Sequence, residues 1–187
     1  MKISLRTLLL IVSLLAPVAA AEDPAHEELR KLRTDIIAGI TAGDIESVLQ
    51  HVDPQVVITW QNSEVCRGRD GLKAFFEKTG KESFKGYKVP PTPDGLTLLQ
   101  GGTHGISVGE TIAGYKLFGK DYEIKSRWTA TVVKTDGQWR LAAYHISMNV
   151  LDNPLLDAAK KGIAIAAGVA LVVGSAIGYG VAKRRKG

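Results

Sequence analysis

The 187-residue chain has a single cysteine, Cys66. No intramolecular disulfide can form, so whatever folds here is held by its core alone. A lone cysteine in such a setting reads first as a small buried hydrophobe and only second as a nucleophile. The four histidines are scattered, and none has ligand spacing to another metal-binding side chain, which argues against a metal site. Neither a Gly-x-Gly-x-x-Gly nor a P-loop pattern occurs, no Ser/His/Asp order can be defended, and no internal repeat is visible. No cofactor is therefore expected.

An excess of one charge is missing too, once its location is considered. The formal net charge of +5 resembles that of a nucleic-acid binder. Of the 24 basic residues, however, Lys2 and Arg6 lie at the N-terminus and Lys183, Arg184, Arg185 and Lys186 at the C-terminus. The remaining 18 face 19 acids, a formal charge of −1 for everything between the two ends. The positive charge reports topology and tail contact with anionic lipid rather than a DNA-binding face.

What the chain does have is two apolar ends. Lys2 and Arg6 precede the run TLLLIVSLLA, and Pro17-Val18-Ala19-Ala20-Ala21 supplies an A-x-A cleavage site before Glu22. Residues 1–21 therefore read as a signal peptide, too short for a bilayer span, with no cysteine at the cleavage site to carry a lipid. Residues 162–182 (GIAIAAGVALVVGSAIGYGVA) carry no charge. As a helix they reach about 31 Å, enough to cross a hydrocarbon core. The richer basic cluster at 183–187 is expected in the cytoplasm, which places the globular part outside it, in agreement with the signal peptide. That domain is periplasmic if the cell is bacterial. Small residues recur every fourth position along the span, and Gly174 with Gly178 forms a GxxxG pair suited to helix association.

Residues 22–153 read as one α+β domain, joined to the span by a juxtamembrane segment at 154–161. Asp23-Pro24 starts a helix with Leu29, Leu32, Ile36, Ile37 and Ile40 on one stripe, and Ala42-Gly43 closes it. Asp44 caps a short second helix through about His51. Residues 55–61 (QVVITWQ) read as a strand, 70–78 as a helix, and 81–95, with three prolines and two glycines, as a loop crossing the domain. Strands follow at about 96–100, 104–117, 121–134 and 138–148. Helices first and a strand meander afterwards predict helices packed on one sheet face.

Asp136-Gly137 between the last two strands is a two-residue hairpin loop. Continuing that register without interruption pairs Lys134 with Trp139, Val132 with Leu141, Ala130 with Ala143 and Trp128 with His145 on the core face. The Ala130/Ala143 pair leaves a gap between bulky neighbours, with Trp128 and His145 at its rim, so the sheet is expected to enclose an apolar cavity with one polar end. Trp60 and Trp128 are its candidate walls, His145 its candidate acid-base group. A cross-sheet hydrogen bond for His145, and plain core packing for the tryptophans, explain the same residues. Arg127 falls on the opposite face, at a candidate subunit contact. Tyr115, Tyr122 and Tyr144 fall on strands, with no acid placed to face them.

The segments ELRKLRTDIIAGITAGDIESVLQHVDPQVVITWQN, CRGRDGLKAFFEK and SRWTATVVKTDGQWRLAAYHISMN resemble the nuclear transport factor 2-like superfamily. Within it the chain is similar to SnoaL-like and ketosteroid-isomerase-like domains over about 25–149. The resemblance implies a cone: a curved antiparallel sheet wrapped around N-terminal helices, with a pocket at the open end and usually a homodimer. His145 and Ser147 match the His-x-Ser tail of the calcium/calmodulin-dependent kinase association domain, while the arginine of that family's neighbouring strand falls at Ala130. Three functions follow as expectations: a module binding a small apolar molecule through Trp60, Trp128, Ala130, Ala143, His145 and Ser147; an isomerase, cyclase or dehydratase using His145; or a dimerising tether.

Overall fold

A computed structural model describes residues 22–117 and 119–185 and, for residues 80–83, the backbone alone. Residues 1–21, read from sequence as a signal peptide, lie outside the described residues. Helix α1 (Ala25–Ala42) begins where Asp23 accepts a hydrogen bond from the Ala25 amide and ends on Gly43, whose φ of 67° gives the left-handed cap that glycine adopts without strain. The Asp44 carboxylate caps α2 (Ile45–Gln50) by accepting from the Ser47 amide at 3.1 Å. Strand β1 (Val52–Thr59), the short β2 (Val65–Arg67) and helix α3 (Gly68–Ser83) follow. Then come β3 (Phe84–Pro93), β4 (Leu98–Gln100), β5 (His104–Leu117), β6 (Lys120–Thr135), β7 (Gln138–Met148) and helix α4 (Pro154–Arg184).

The seven strands form one sheet in the order β2-β1-β7-β6-β5-β3, with β4 also on β5; the β1–β7 pairing is parallel and the others antiparallel. The three long strands curve around α1–α3. Val48, Val52, Val56, Ile58, Cys66 and Leu72 form one core cluster, and Leu29, Leu32, Val132 and Trp139 a second beneath α1. Cys66 is buried, and its sulfur accepts a hydrogen bond from Trp60 Nε1 at 3.2 Å. Burial pushes the thiol pKa up, so the cysteine is a packing residue, as the sequence suggested.

Two expectations are corrected. The segment read as a loop at 81–95 holds strand β3. Its prolines misled because proline cannot donate to a ladder; here they sit on the sheet's edge strand, where missing donors cost little, and the β3–β5 register shifts three times along it. The hairpin register also breaks. Asp136 (φ 53°) and Gly137 (φ 75°) make the expected turn, and Lys134/Trp139 and Val132/Leu141 pair as predicted. The register then shifts, with Ala142 as the extra residue: Thr131 pairs with Ala143, Ala130 with Tyr144, Thr129 with His145 and Trp128 with Ile146. On the other side of β7, β1 is irregular between Val52 and Val57, around Asp53-Pro54, so the two defects lie side by side. One extra residue bends the strand and exchanges its faces.

Helix α4 is capped by Asn153, whose side chain accepts from the Leu155 and Leu156 amides, and has Pro154 at its start. It is long and apolar enough to cross a membrane, and none of its most apolar stretch is buried against the rest of the chain.

Candidate functional site

The inward positions of β5 are Gly105, Ser107, Gly109, Thr111 and Ala113, all small. Across from them on β6 stand Val132, Ala130, Trp128, Ser126 and Ile124. A strand alternates its side chains between faces, so this run of small residues falls on the concave side, where Ser107 and Ala113 face open space while Gly109 is covered by Trp128 and Gly105 by Thr97 and Val132. The resulting cavity measures about 1360 Å³ and is bounded by α1, α3, β3 and β7. That exceeds the usual range of about 300–1,000 Å³ for small-molecule sites, so a ligand of lipid size fits.

Two aromatic groups line it. Trp60 stacks on Phe75 (centroids 4.7 Å, 6° between planes), and Tyr144 lies 6.4 Å from Trp60 and 6.0 Å from Trp128. On β3 and β5, Phe84 packs edge-to-face on Tyr87 at 5.0 Å and on Tyr115 at 5.8 Å. Trp128 is fixed from behind, its Nε1 donating to the Glu110 carbonyl at 3.0 Å.

The polar groups of the lining include three phenols, the Gln61 amide, Ser107, the buried His26 and the half-buried Arg33. The Tyr115 hydroxyl donates to Gln61 Oε1 at 2.9 Å, and Gln61 Nε2 donates to Ser126 Oγ at 2.6 Å. The Tyr87 and Tyr144 hydroxyls have no hydrogen-bond partner among the described residues, and both residues line the cavity. Burial raises the pKa of all three phenols, and the neighbouring hydroxyls raise those of Tyr87 and Tyr144 further. Each is therefore a neutral O–H donor at physiological pH. Glu77 is the sole carboxylate among the described lining residues, and its side chain is exposed.

Of the residues singled out from sequence, Trp60, Trp128 and Ala130 line the cavity and Ala143, His145 and Ser147 do not. The bulge at Ala142 is the reason. Beyond it, Tyr144 and Ile146 turn inward, while His145 pairs with Thr129 and Ser147 with Arg127 on the convex face. His145 is thus exposed, with Trp128 on the opposite side of the sheet, and the predicted acid-base position is overturned. Arg127 is on the convex face, as expected, and is bound through both terminal nitrogens to the Asp94 carboxylate. That pairing holds the Asp94 pKa below the usual carboxylate range. His145→Ala is expected to leave the affinity for any cavity ligand unchanged within about twofold and stability within about 0.5 kcal/mol, measured by titration and thermal melting.

Sequence reasoning missed Tyr87, Gln61 and the β5 row. Tyr87 was hidden by reading β3 as a loop. The β5 row was visible as small residues at every second position of one strand.

Residues 29–151 match the family model of the SnoaL-like domain. The chain belongs to the SnoaL-like family. Its fold is that of the nuclear transport factor 2-like superfamily, as solved structures agree. A ketosteroid isomerase-like protein from Erwinia carotovora atroseptica superposes with a TM-score of 0.59 at 14% identity, covering 68% of this chain and 98% of that one. A protein provisionally described as a scytalone dehydratase from Novosphingobium aromaticivorans gives 0.57 at 17%, covering 66% and 83%. One provisionally described as a calcium/calmodulin dependent protein kinase II association domain from Xanthomonas campestris gives 0.56 at 20%, covering 70% and 91%. At these identities the likeness concerns the fold. No curated protein matches the sequence. In this SnoaL-like domain the concave side of the sheet, not the His-x-Ser tail, carries the candidate site.

Proposed function

We propose that the protein is a membrane-tethered binding module whose SnoaL-like domain holds an apolar or amphipathic small molecule in the cone. The supporting observation is the cavity of about 1360 Å³, walled by aromatic and aliphatic side chains with the small Ser107, Ala113 and Ala130 on its sheet side. Leu155, in the first turn of α4, is part of the lining. The helix that would cross the bilayer therefore starts at the cavity wall, which holds the site near the membrane surface. With a cleaved signal peptide and a cytoplasmic basic tail, the domain stands outside the cytoplasm.

A homodimer is part of this reading. The convex face presents the rows Ile106/Thr131/Ala143 and Val108/Thr129/His145, which suit a second sheet, and Gly174 and Gly178 stand open on α4. Dehydratase- or isomerase-type chemistry has less support: the described lining offers as bases His26, buried in the first turn of α1, and the exposed Glu77, and no hydrogen bond among the described residues joins either to a cavity tyrosine.

The test fills the cavity. Ser107 faces inward opposite Ala130, so Ser107→Trp places an indole across the hollow. Binding of N-phenyl-1-naphthylamine, a neutral apolar dye, to the full chain in amphipol is expected to weaken at least about tenfold, with the melting temperature kept within a few degrees. Equal affinity in wild type and variant would remove the cavity from the binding function.

A further inference from the structure

The cavity is long, and its two ends differ. At one end Leu29 and Leu32 on α1 pack against Val132 on β6. Arg33 stands beside them in the lining, half-buried and without an ion pair among the described residues, whereas Arg30 is held by Glu22 and Glu27. At the other end the lining is Phe84, Leu117, Ile124, Met148 and Leu155. Met148 pairs with Ser126, two residues from Ile124 on β6. From Val132 back to Ser126 and Ile124 is six to eight residues of strand, about 20–26 Å. A membrane lipid has about that length, half of a bilayer of about 40–45 Å. Glu77 and Lys85, also in the lining, are exposed where α3 gives way to β3.

The apolar end is where the chain turns into α4. Asn153, Pro154, Leu155 and Leu156 are half-buried against the domain, and the helix is exposed from Asp157 onward. It runs unbroken from Pro154 to Arg184, so no flexible linker separates the cavity wall from the apolar 162–182 stretch. Seven residues lead from Leu155 to Gly162, a rise of about 10 Å. With 162–182 in hydrocarbon, Leu155 stands at the outer edge of a headgroup layer about 5–8 Å thick. Val150 and Leu151, 71% and 81% exposed, lie just before the helix, where that layer offers them apolar contact.

Resting on the binding and tethering readings above, we propose that the ligand is a phospholipid of the leaflet on which the domain stands, its phosphate at Arg33 and its chains extending to Leu155. The polarity of the cavity then continues that of the leaflet, charged group outward and hydrocarbon toward the bilayer. A phosphate that leaves the headgroup layer loses water and needs a cation in its place. Arg33 supplies a fork of donors that no carboxylate among the described residues occupies. The chains stay out of water, because Phe84, Leu117, Met148 and Leu155 carry apolar surface to the edge of the headgroup layer. A ligand arriving from water would gain nothing from a cavity wall held at this height.

The test places the full chain in nanodiscs whose phosphatidylglycerol carries bromine at mid-chain. Bromine quenches an indole only near contact, and mid-chain bromines in the bilayer lie more than about 10 Å below the cavity wall. Trp60 and Trp128 line the cavity, and Trp139, the third tryptophan, does not. Relative to unbrominated discs, wild type is expected to lose most of the Trp60 and Trp128 emission. Leu155→Arg, and Leu155→Asn as a smaller change at the same rim, keep less than about a third of that quenching. Arg33→Gln lowers it about threefold, and leaves quenching by brominated diacylglycerol, the same chains without phosphate, unaffected. Melting curves verify each fold, and N-phenyl-1-naphthylamine added from water measures the binding space independently. Dye binding without quenching in wild type would overturn the lipid and leave the binding function standing. Equal quenching in wild type and both Leu155 variants would overturn the placement of the chains, and equal quenching in Arg33→Gln that of the phosphate. If neither dye nor brominated lipid reaches the wild-type cavity, the binding function itself fails.

Discussion

Gly109→Ala is expected to lower the stability of the domain by about 2–3 kcal/mol, seen as a lower urea midpoint with little change in slope. A Cβ at this position would stand 2.1 Å from the Thr92 carbonyl oxygen and 2.4 Å from Cζ2 of Trp128. Neither neighbour yields easily. Thr92 is backbone of β3, paired across to Glu110. The Trp128 ring is buried and held by its hydrogen bond to the Glu110 carbonyl. Either the edge strand leaves β5 or the indole leaves its seat and its bond, so the cost lies toward the upper end of the overpacking range. Gly105→Ala offers the control. Its Cβ meets Cγ2 of Thr97 at 2.7 Å and Cγ2 of Val132 at 3.0 Å, side-chain methyls that can turn aside, and about 1 kcal/mol is expected there. Equal midpoints for wild type and Gly109→Ala would mean that Trp128 does not lie on Gly109, and the cavity wall would have to be redrawn.

This contact also shows why the small row on β5 is more than a gap. Gly109 lets an indole lie flat on the strand, and Thr111, fully buried, donates its hydroxyl to the Val89 carbonyl on β3. The row thus seats one wall of the cavity and ties down the edge strand.

Much of this was legible in the chain. Helix α1 shows its stripe and both ends, Asp44 its cap, and β5 to β7 their bounds to within a residue or so, because turn chemistry and hydrophobic period agree there. The cone followed from resemblance, and the structure confirms it. The site was legible only in part. Trp60 and Trp128 line the cavity, because Trp60 directly follows β1 and Trp128 stands on β6, so the insertion in β7 turns neither. His145 and Ser147 do not line it, because a single inserted residue at Ala142 reverses every later side chain. Nothing in Leu141-Ala142-Ala143 marks that insertion; the nearest sign is Pro54, distant in sequence and brought alongside by the parallel β1–β7 pairing. β3 was hidden for a different reason. Proline is a strand breaker in the middle of a sheet and tolerated at its edge, and which strand is the edge is a property of topology.

Lysines at Val169 and Val172 are expected to move the full chain from the carbonate-resistant membrane pellet to the soluble fraction. Both positions lie near the middle of the 162–182 stretch and are exposed. A lysine at the centre of a spanning helix costs about 2.5–3.5 kcal/mol, so two cost about 5–7. The margin they must overcome is small. The stretch contains Gly162, Gly168, Gly174, Gly178 and Gly180, which add little hydrophobic gain, so insertion rests on Ile163, Ile165, Leu171, Ile177 and four valines. Leu151→Lys makes the matched control. Leu151 is 81% exposed and precedes α4, at the level where a lysine can reach headgroups, and the protein is expected to stay in the pellet. Retention of the double-lysine protein in the pellet would show that α4 is held by something other than hydrocarbon. The most direct candidate is then a second copy packed along the Gly174/Gly178 stripe, and cross-linking at those positions distinguishes it. Release of both the double-lysine and the Leu151→Lys proteins would instead indicate an interfacial helix lying in the headgroup layer. The lining position of Leu155 would then set the cavity against the membrane surface from the side rather than from above.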